Sequence, residues 1–235
     1  MAERDWAISA DKLSLTFNAG PIWDRHQYQV LKQISFAVKK GETFGVMGRN
    51  GCGKSSLLRI LAGVIKQSSG SLRFNNIGSR SLLALGLGFN NDLSGRDNAL
   101  LSLMLQGEEK AEAKEMLEDI QDFSGLGEHF ELPVRTYSSG MRSRLGFAVG
   151  VTANTDLLLI DETLSVGDQH FKDKAEQVML EKLNGEQTVI FVSHNSQQVN
   201  KLCEHAIWIE QGVIQAGGEA KIVAKEYQRF MRDIK

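Results

Sequence analysis

The octapeptide GRNGCGKS, Gly48–Ser55, spaces three glycines around Arg49, Asn50 and Cys52 and closes on a lysine and a serine. It fits G-x-x-x-x-G-K-[ST], with an apolar run before it and a leucine-rich helical pattern after it. Glycines at Gly48, Gly51 and Gly53 let backbone N–H groups close around phosphate oxygens with no Cβ in the way. A helix beginning near Lys54 adds its positive dipole end. The Lys54 ammonium then reaches the β- and γ-phosphates, the Ser55 hydroxyl suits Mg²⁺, and Ser56 continues the cradle. A glycine-rich turn could match by chance, but the strand–loop–helix setting argues for nucleoside triphosphate binding.

Two further groups suit the same chemistry. In LLLIDE, Leu157–Glu162, an apolar strand ends in adjacent carboxylates, and strand alternation prevents Asp161 and Glu162 from playing the same part. Asp161 suits a Mg²⁺ ligand, directly or through water, and Glu162 suits polarising the water that attacks the γ-phosphate. His194 follows the apolar strand TVIFVS. A lone histidine there is ordinarily structural or solvated. Ligands of open parallel sheets, however, collect at the carboxyl ends of strands, where His194 could bond the γ-phosphate or the attacking water.

YSSGM, Tyr137–Met141, heads an apolar helix with two serines and a glycine, and no general base stands beside the serines. Small residues at a helix N-terminus leave N–H groups open to an anion. A second cradle needs a second phosphate source, most simply ATP held by another copy of the chain.

With these motifs in this order, the chain resembles the nucleotide-binding subunits of ATP-binding-cassette (ABC) transporters along its whole length. The family's Leu-Ser-Gly-Gly-Gln signature falls on Tyr137, Ser138, Ser139, Gly140 and Met141, with Ser138 and Gly140 retained as phosphate contacts. SVGD, Ser165–Asp168, resembles the D-loop. The glutamine that senses Mg²⁺ and links to the membrane subunit is replaced by Asn90. The resemblance implies that an aromatic just before the second strand stacks on adenine; Tyr28 stands there, with Phe17 and Trp23 as rivals. The segments GFNNDLSGRDN, TYSSGMRSRLGFAVGV and DETLSVGDQHFKDKA resemble the branch that exports capsular polysaccharide, O-antigen and teichoic acid. A chain ending soon after its last hairpin resembles capsule exporters within that branch.

The elements that must position these groups are visible as periodicities. Ala7–Phe17 and Val30–Val38 alternate as strands around a long loop, NAGPIWDRHQYQ. Thr43–Met47, Asp156–Ile160 and Thr188–Val192 are short apolar runs of the kind found in buried parallel strands. Ser55–Val64 reads as a helix, residues 92–152 as mostly helical, AIWIEQGVIQAGG as a closing hairpin and Gly218–Lys235 as a polar helix. The resemblance thus implies one α/β P-loop NTPase domain of ABC type over 1–235. It would have a mainly parallel core sheet, an antiparallel β subdomain and a helical insertion near 92–152.

The 235 residues are 42% hydrophobic, with two prolines, two cysteines and a net charge of −2. That balance gives no nucleic-acid footprint, and two cysteines make no disulfide framework. The acidic start MAERDWAISADKL has no apolar signal region, and no apolar run reaches the roughly 18 residues of a membrane span. The expectation is a homodimeric ATPase using ATP and Mg²⁺. It would sit peripherally on the cytoplasmic face of the inner membrane and drive a separate permease that exports a lipid-linked polysaccharide. The rivals are a soluble ABC ATPase serving iron–sulfur assembly and a P-loop kinase, which has no use for YSSGM. DNA-repair ABC proteins are excluded because no long heptad insertion separates Lys54 from Asp161.

Overall fold

The computed structural model describes residues 6–19, 26–83, 88–161, 169–183 and 187–234. They form two compact units. One comprises Met1–Ile77, Leu159–Glu162 and Gly185–Lys235, and the other Gly78–Leu158 and Thr163–Asn184.

In the first unit, β1 (Trp6–Ala19), β2 (His26–Lys39) and β4 (Ser69–Phe74) form an antiparallel sheet in the order β2-β1-β4. A second sheet runs β6-β7-β3-β8-β9, where β3 is Thr43–Met47, β6 Leu157–Asp161, β7 Thr188–Ser193, β8 His205–Glu210 and β9 Val213–Glu219. β3 is parallel to both β7 and β8, and β9 returns antiparallel to β8. Every residue of β3 and β7 is buried, which is why these strands read as unbroken apolar runs rather than as alternation. Helices α1 (Lys54–Leu61), α6 (Ser196–Leu202) and α7 (Ala220–Asp233) complete this unit. The core face of α7 buries Val223, Ala224 and Tyr227, and the Trp208 ring of β8 meets Tyr227 edge-on and Phe230 at a tilt.

The second unit carries β5 (Arg80–Leu83) and helices α2 (Gly95–Leu105), α3 (Lys110–Ser124), α4 (Ser139–Thr152) and α5 (Gln169–Leu183). Leu103, Leu117, Ile120, Phe130 and Leu145 form its core. The rings of Phe123, Phe147 and Phe171 add a second apolar cluster. Asp156 accepts the N–H groups of Gly78 and Ser79 at 2.8 and 2.9 Å, which aligns the start of β6.

Four expectations shift. The loop between the first two strands is shorter than expected, because β1 runs to Ala19 and β2 starts at His26, with Phe17 opposite Tyr28. Backbone pairing continues with Asn18 opposite Gln27 and Ala19 opposite His26, residues that read as turn formers. The first helix is Lys54–Leu61, stopped before Gly63 at φ 77°. The carboxylate strand shifts by one residue to include Asp161, and the closing helix starts at Ala220. β4, β5, α5 and α6 had no clear periodicity to announce them.

Candidate nucleotide-binding site

The phosphate loop leaves the carboxyl end of β3 at Gly48. Gly48 has φ 152°, and a Cβ there would run into the Ile209 carbonyl and Cys52 Sγ. Gly53 caps α1 with φ 108°, and a Cβ at that position would overlap Leu31. These two backbone positions require glycine. Lys54 is buried; its Nζ donates to the carbonyls of Gly48 at 2.7 Å and Arg49 at 2.9 Å. The ammonium is therefore held inside the loop's own curve, where a phosphate would offer it charged acceptors in place of neutral ones. Burial pushes the Cys52 thiol up from 9.0 against the opposing pull of Lys54, so a neutral sulfur lies under the loop.

Ser55 donates its hydroxyl to Asp161 Oδ2 at 2.9 Å. A hydroxyl and a carboxylate oxygen side by side are hard donors of the kind Mg²⁺ takes, so the pair fits that ion. β7 lies between β6 and β3, and Met47 is paired with Ser193. His194 therefore leaves β7 at the edge where Gly48 leaves β3, and it is exposed there. Ser55 of the loop and Asp161 are thus in contact, and His194 lies at the same edge of the sheet. Glu162 and Asp168 lie outside the described residues, as does Trp23.

Beside the loop is a cavity of about 400 Å³ lined by Tyr28, Lys32, Arg49, Asn50, Glu210 and Gly212 among others. Tyr28 is 62% exposed and Phe17, directly opposite it, 45%, so the two rival aromatics share one face of the ribbon. The β8–β9 turn supplies part of this wall and was not foreseen. Gly212 accepts the Lys32 N–H at 2.8 Å, and Glu210 lies 3.9 Å from Arg49. The only local signal was the Gln211–Gly212 turn pair, which announces a hairpin but not what it braces.

In the second unit, Ser138 caps α4 by accepting the Met141 N–H at 3.2 Å. Ser138 and Ser139 are exposed and Gly140 is half-buried at the helix start. The first N–H groups of a helix lack intrahelical acceptors, so this end can take an anion. Asn90 is tied into its own turn: its N–H donates to Asn98 at 2.7 Å and its side-chain oxygen accepts from Asp92 at 3.0 Å.

The ABC transporter family profile matches residues 31–165, more than half of the chain. The chain belongs to the ABC transporter family. Its P-loop fold is that of the family. It is 44% identical over 204 residues to the teichoic acids export ATP-binding protein TagH of Enterococcus faecalis, covering 87% of this chain and 45% of the relative. It is 40% identical over 225 residues to TagH of Lactiplantibacillus plantarum, covering 96% and 61%. This ABC chain thus spans about half the length of the curated relatives it matches. The dimeric, post-hydrolysis structure of the ATP-binding cassette MJ0796 bound to ADP and Pi superposes with TM-score 0.74 at 20% identity, covering 91% of this chain and 98% of that one. The ATP-binding subunit of another ABC transporter does so with TM-score 0.77 at 19%, covering 94% and 93%. Both likenesses concern the fold.

Proposed function

We propose that the chain is the ATP-hydrolysing motor of a transporter that exports a lipid-linked cell-surface polymer. It works as a homodimer, peripheral to the cytoplasmic face of the membrane, on a separate permease. The Ser55–Asp161 pair at the mouth of the phosphate loop carries the nucleotide part of this reading. In it, Gly48–Ser56 and the Lys54 ammonium wrap the phosphates, and Tyr28 stacks on adenine. Mg²⁺, held by Ser55 and Asp161, would neutralise charge on the phosphates, and Asn90 stands where the family has its Mg²⁺-sensing glutamine. Glu162 polarises the attacking water, and His194 bonds the γ-phosphate. Ser138, Ser139 and Gly140 of a second copy close the site, and Asp168 takes the part that the D-loop resemblance gives it.

The cargo reading rests on relatives named for teichoic acid export. Among the described residues no helix is long and apolar enough to cross a membrane, which accords with a permease as a separate chain. Capsular polysaccharide and O-antigen are the other cargoes of the branch that the signature region resembles, and the relatives' names favour teichoic acid. Affinity purification from detergent-solubilised membranes of the native host should recover a multi-span protein at a fixed ratio. Deleting the chain should strand the lipid-linked polymer inside. A chain recovered with soluble assembly factors instead, and no stranded polymer, would return the function to the iron–sulfur type.

A further inference from the structure

We propose that Tyr137 is a positioning residue whose phenol locks the Ser138–Gly140 cradle in the pose that receives a partner's nucleotide; this rests on the two-copy site proposed above. Tyr137 is 6% exposed and packs into the core of the second unit. Its hydroxyl donates to the His129 carbonyl at 2.6 Å. A Cβ at Gly95 would overlap the Tyr137 hydroxyl oxygen, so the first residue of α2 is kept bare where the phenol enters. The backbone end is held too, because the Tyr137 N–H donates to Val134 at 3.0 Å.

The residue is therefore clamped at both ends immediately before the cap of α4. The clamp continues into the turn that holds Asn90. Gly95 donates to Leu132 at 3.2 Å, Val134 to Leu93 at 2.9 Å and Arg135 to Asn91 at 2.9 Å. The Arg135 guanidinium also binds Asp92 at 2.9 Å. On the other side, the Arg142 guanidinium returns from α4 to the Val134 carbonyl at 3.0 Å. Asn98 gathers the carbonyls of Asn90, Leu93 and Ser94. One hydrogen-bonded body thus runs from Asn90 to the start of α4, and the Tyr137 hydroxyl is its buried pin. The leucine that the family signature has at this position could fill the apolar space but could not donate to His129. N–H groups stabilise a developing anion only when they already point at it, so a cradle free to rock loses rate more than affinity.

The decisive variant is Tyr137→Phe in the full chain, which keeps the ring and removes only the oxygen. Binding of a fluorescent ATP analogue to the chain's own phosphate loop should stay within about twofold of wild type. Turnover per folded molecule should fall about tenfold at unchanged KM, the scale of one misplaced buried hydrogen bond. In a Glu162→Gln background, the ATP-dependent dimer should weaken by a similar factor. Gly95→Ala reaches the same bond from the other side and should reproduce the split between kcat and KM. If Tyr137→Phe lowers the melting temperature yet turns over at the wild-type rate, the phenol merely satisfies a core carbonyl and the proposal fails. If Glu162→Gln alone forms no ATP-dependent dimer, the two-copy reading beneath it has failed instead.

Discussion

Lys54 shows how a single charge is prepared before its ligand arrives. Its ammonium rests on two carbonyls of the loop it must serve, so nucleotide binding exchanges neutral acceptors for anionic ones. Lys54→Ala should lower ATP affinity or turnover by at least about a hundredfold, because the loop's other cation, Arg49, lies beside Glu210 rather than inside the loop's curve. Isothermal titration and phosphate release check this, and wild-type turnover would refute the site. The two carboxylates should part ways under amide substitution. Asp161→Asn weakens the partner that Ser55 already contacts and should raise the Mg²⁺ requirement. Glu162→Gln should bind Mg-ATP, turn it over very slowly and accumulate as an ATP-dependent dimer in size exclusion. Normal turnover in Glu162→Gln would move the base elsewhere, with His194 next in line.

At the scale of elements, the site depends on β3 being braced on both sides. Gly45 of β3 has no room for a Cβ against Val199 of α6, and Cys203 Sγ would lie 3.2 Å from it. Burial pushes the Cys203 thiol up to about 12 from 9.0, with the Glu42 carboxylate adding to the shift. Below pH 9 the thiol is protonated in both folded and unfolded chains and costs nothing. Between about 9 and 12 the unfolded thiol ionises while the folded one keeps its proton, so stability falls by up to about 1.4 kcal/mol per pH unit. The melting temperature of the wild type should therefore drop more steeply between pH 9 and 11 than that of Cys203→Ala. The shallower slope left in the variant should include the contribution of buried Cys52. Equal slopes would mean that solvent reaches the Cys203 thiolate.

For the whole molecule, the question is whether one site is shared by two copies. Gly140→Asp places a carboxylate where a partner's γ-phosphate would lie. Like charges about 4 Å apart cost roughly 1 kcal/mol in water and several times that in a drier interface. Gly140→Asp should leave nucleotide binding to the same chain's own loop intact and abolish turnover. In a mixed dimer of Gly140→Asp with Lys54→Ala, one composite site carries both lesions and the other carries neither. Activity should reappear there, whereas a dimer that joins wild type to the double mutant carries one lesion in each site and should stay inactive. Gly140→Asp homodimers that hydrolyse ATP normally would show that the cluster does not complete a site in trans.

The groups expected to contact phosphate could be picked out in the sequence because their chemistry is local. Consecutive N–H groups of Gly48–Ser55 make a cradle wherever strand, loop and helix follow one another, and Asp161 and His194 mark strand ends by the same logic. The buried strands were legible for a related reason: β3 and β7 are apolar at every position because both faces are covered. Tertiary structure decided what depends on partners far along the chain. The β1–β2 ribbon outlasted its turn-like residues because backbone pairing carries on to Ala19 and His26. Glu210 and Gly212 joined the wall of the cavity beside the phosphate loop only because the β8–β9 turn folds onto β2 and the loop. Tyr137 read simply as the first letter of an anion cradle. That its hydroxyl holds His129 and requires a bare Gly95 follows from packing among residues whose spacing shows no period.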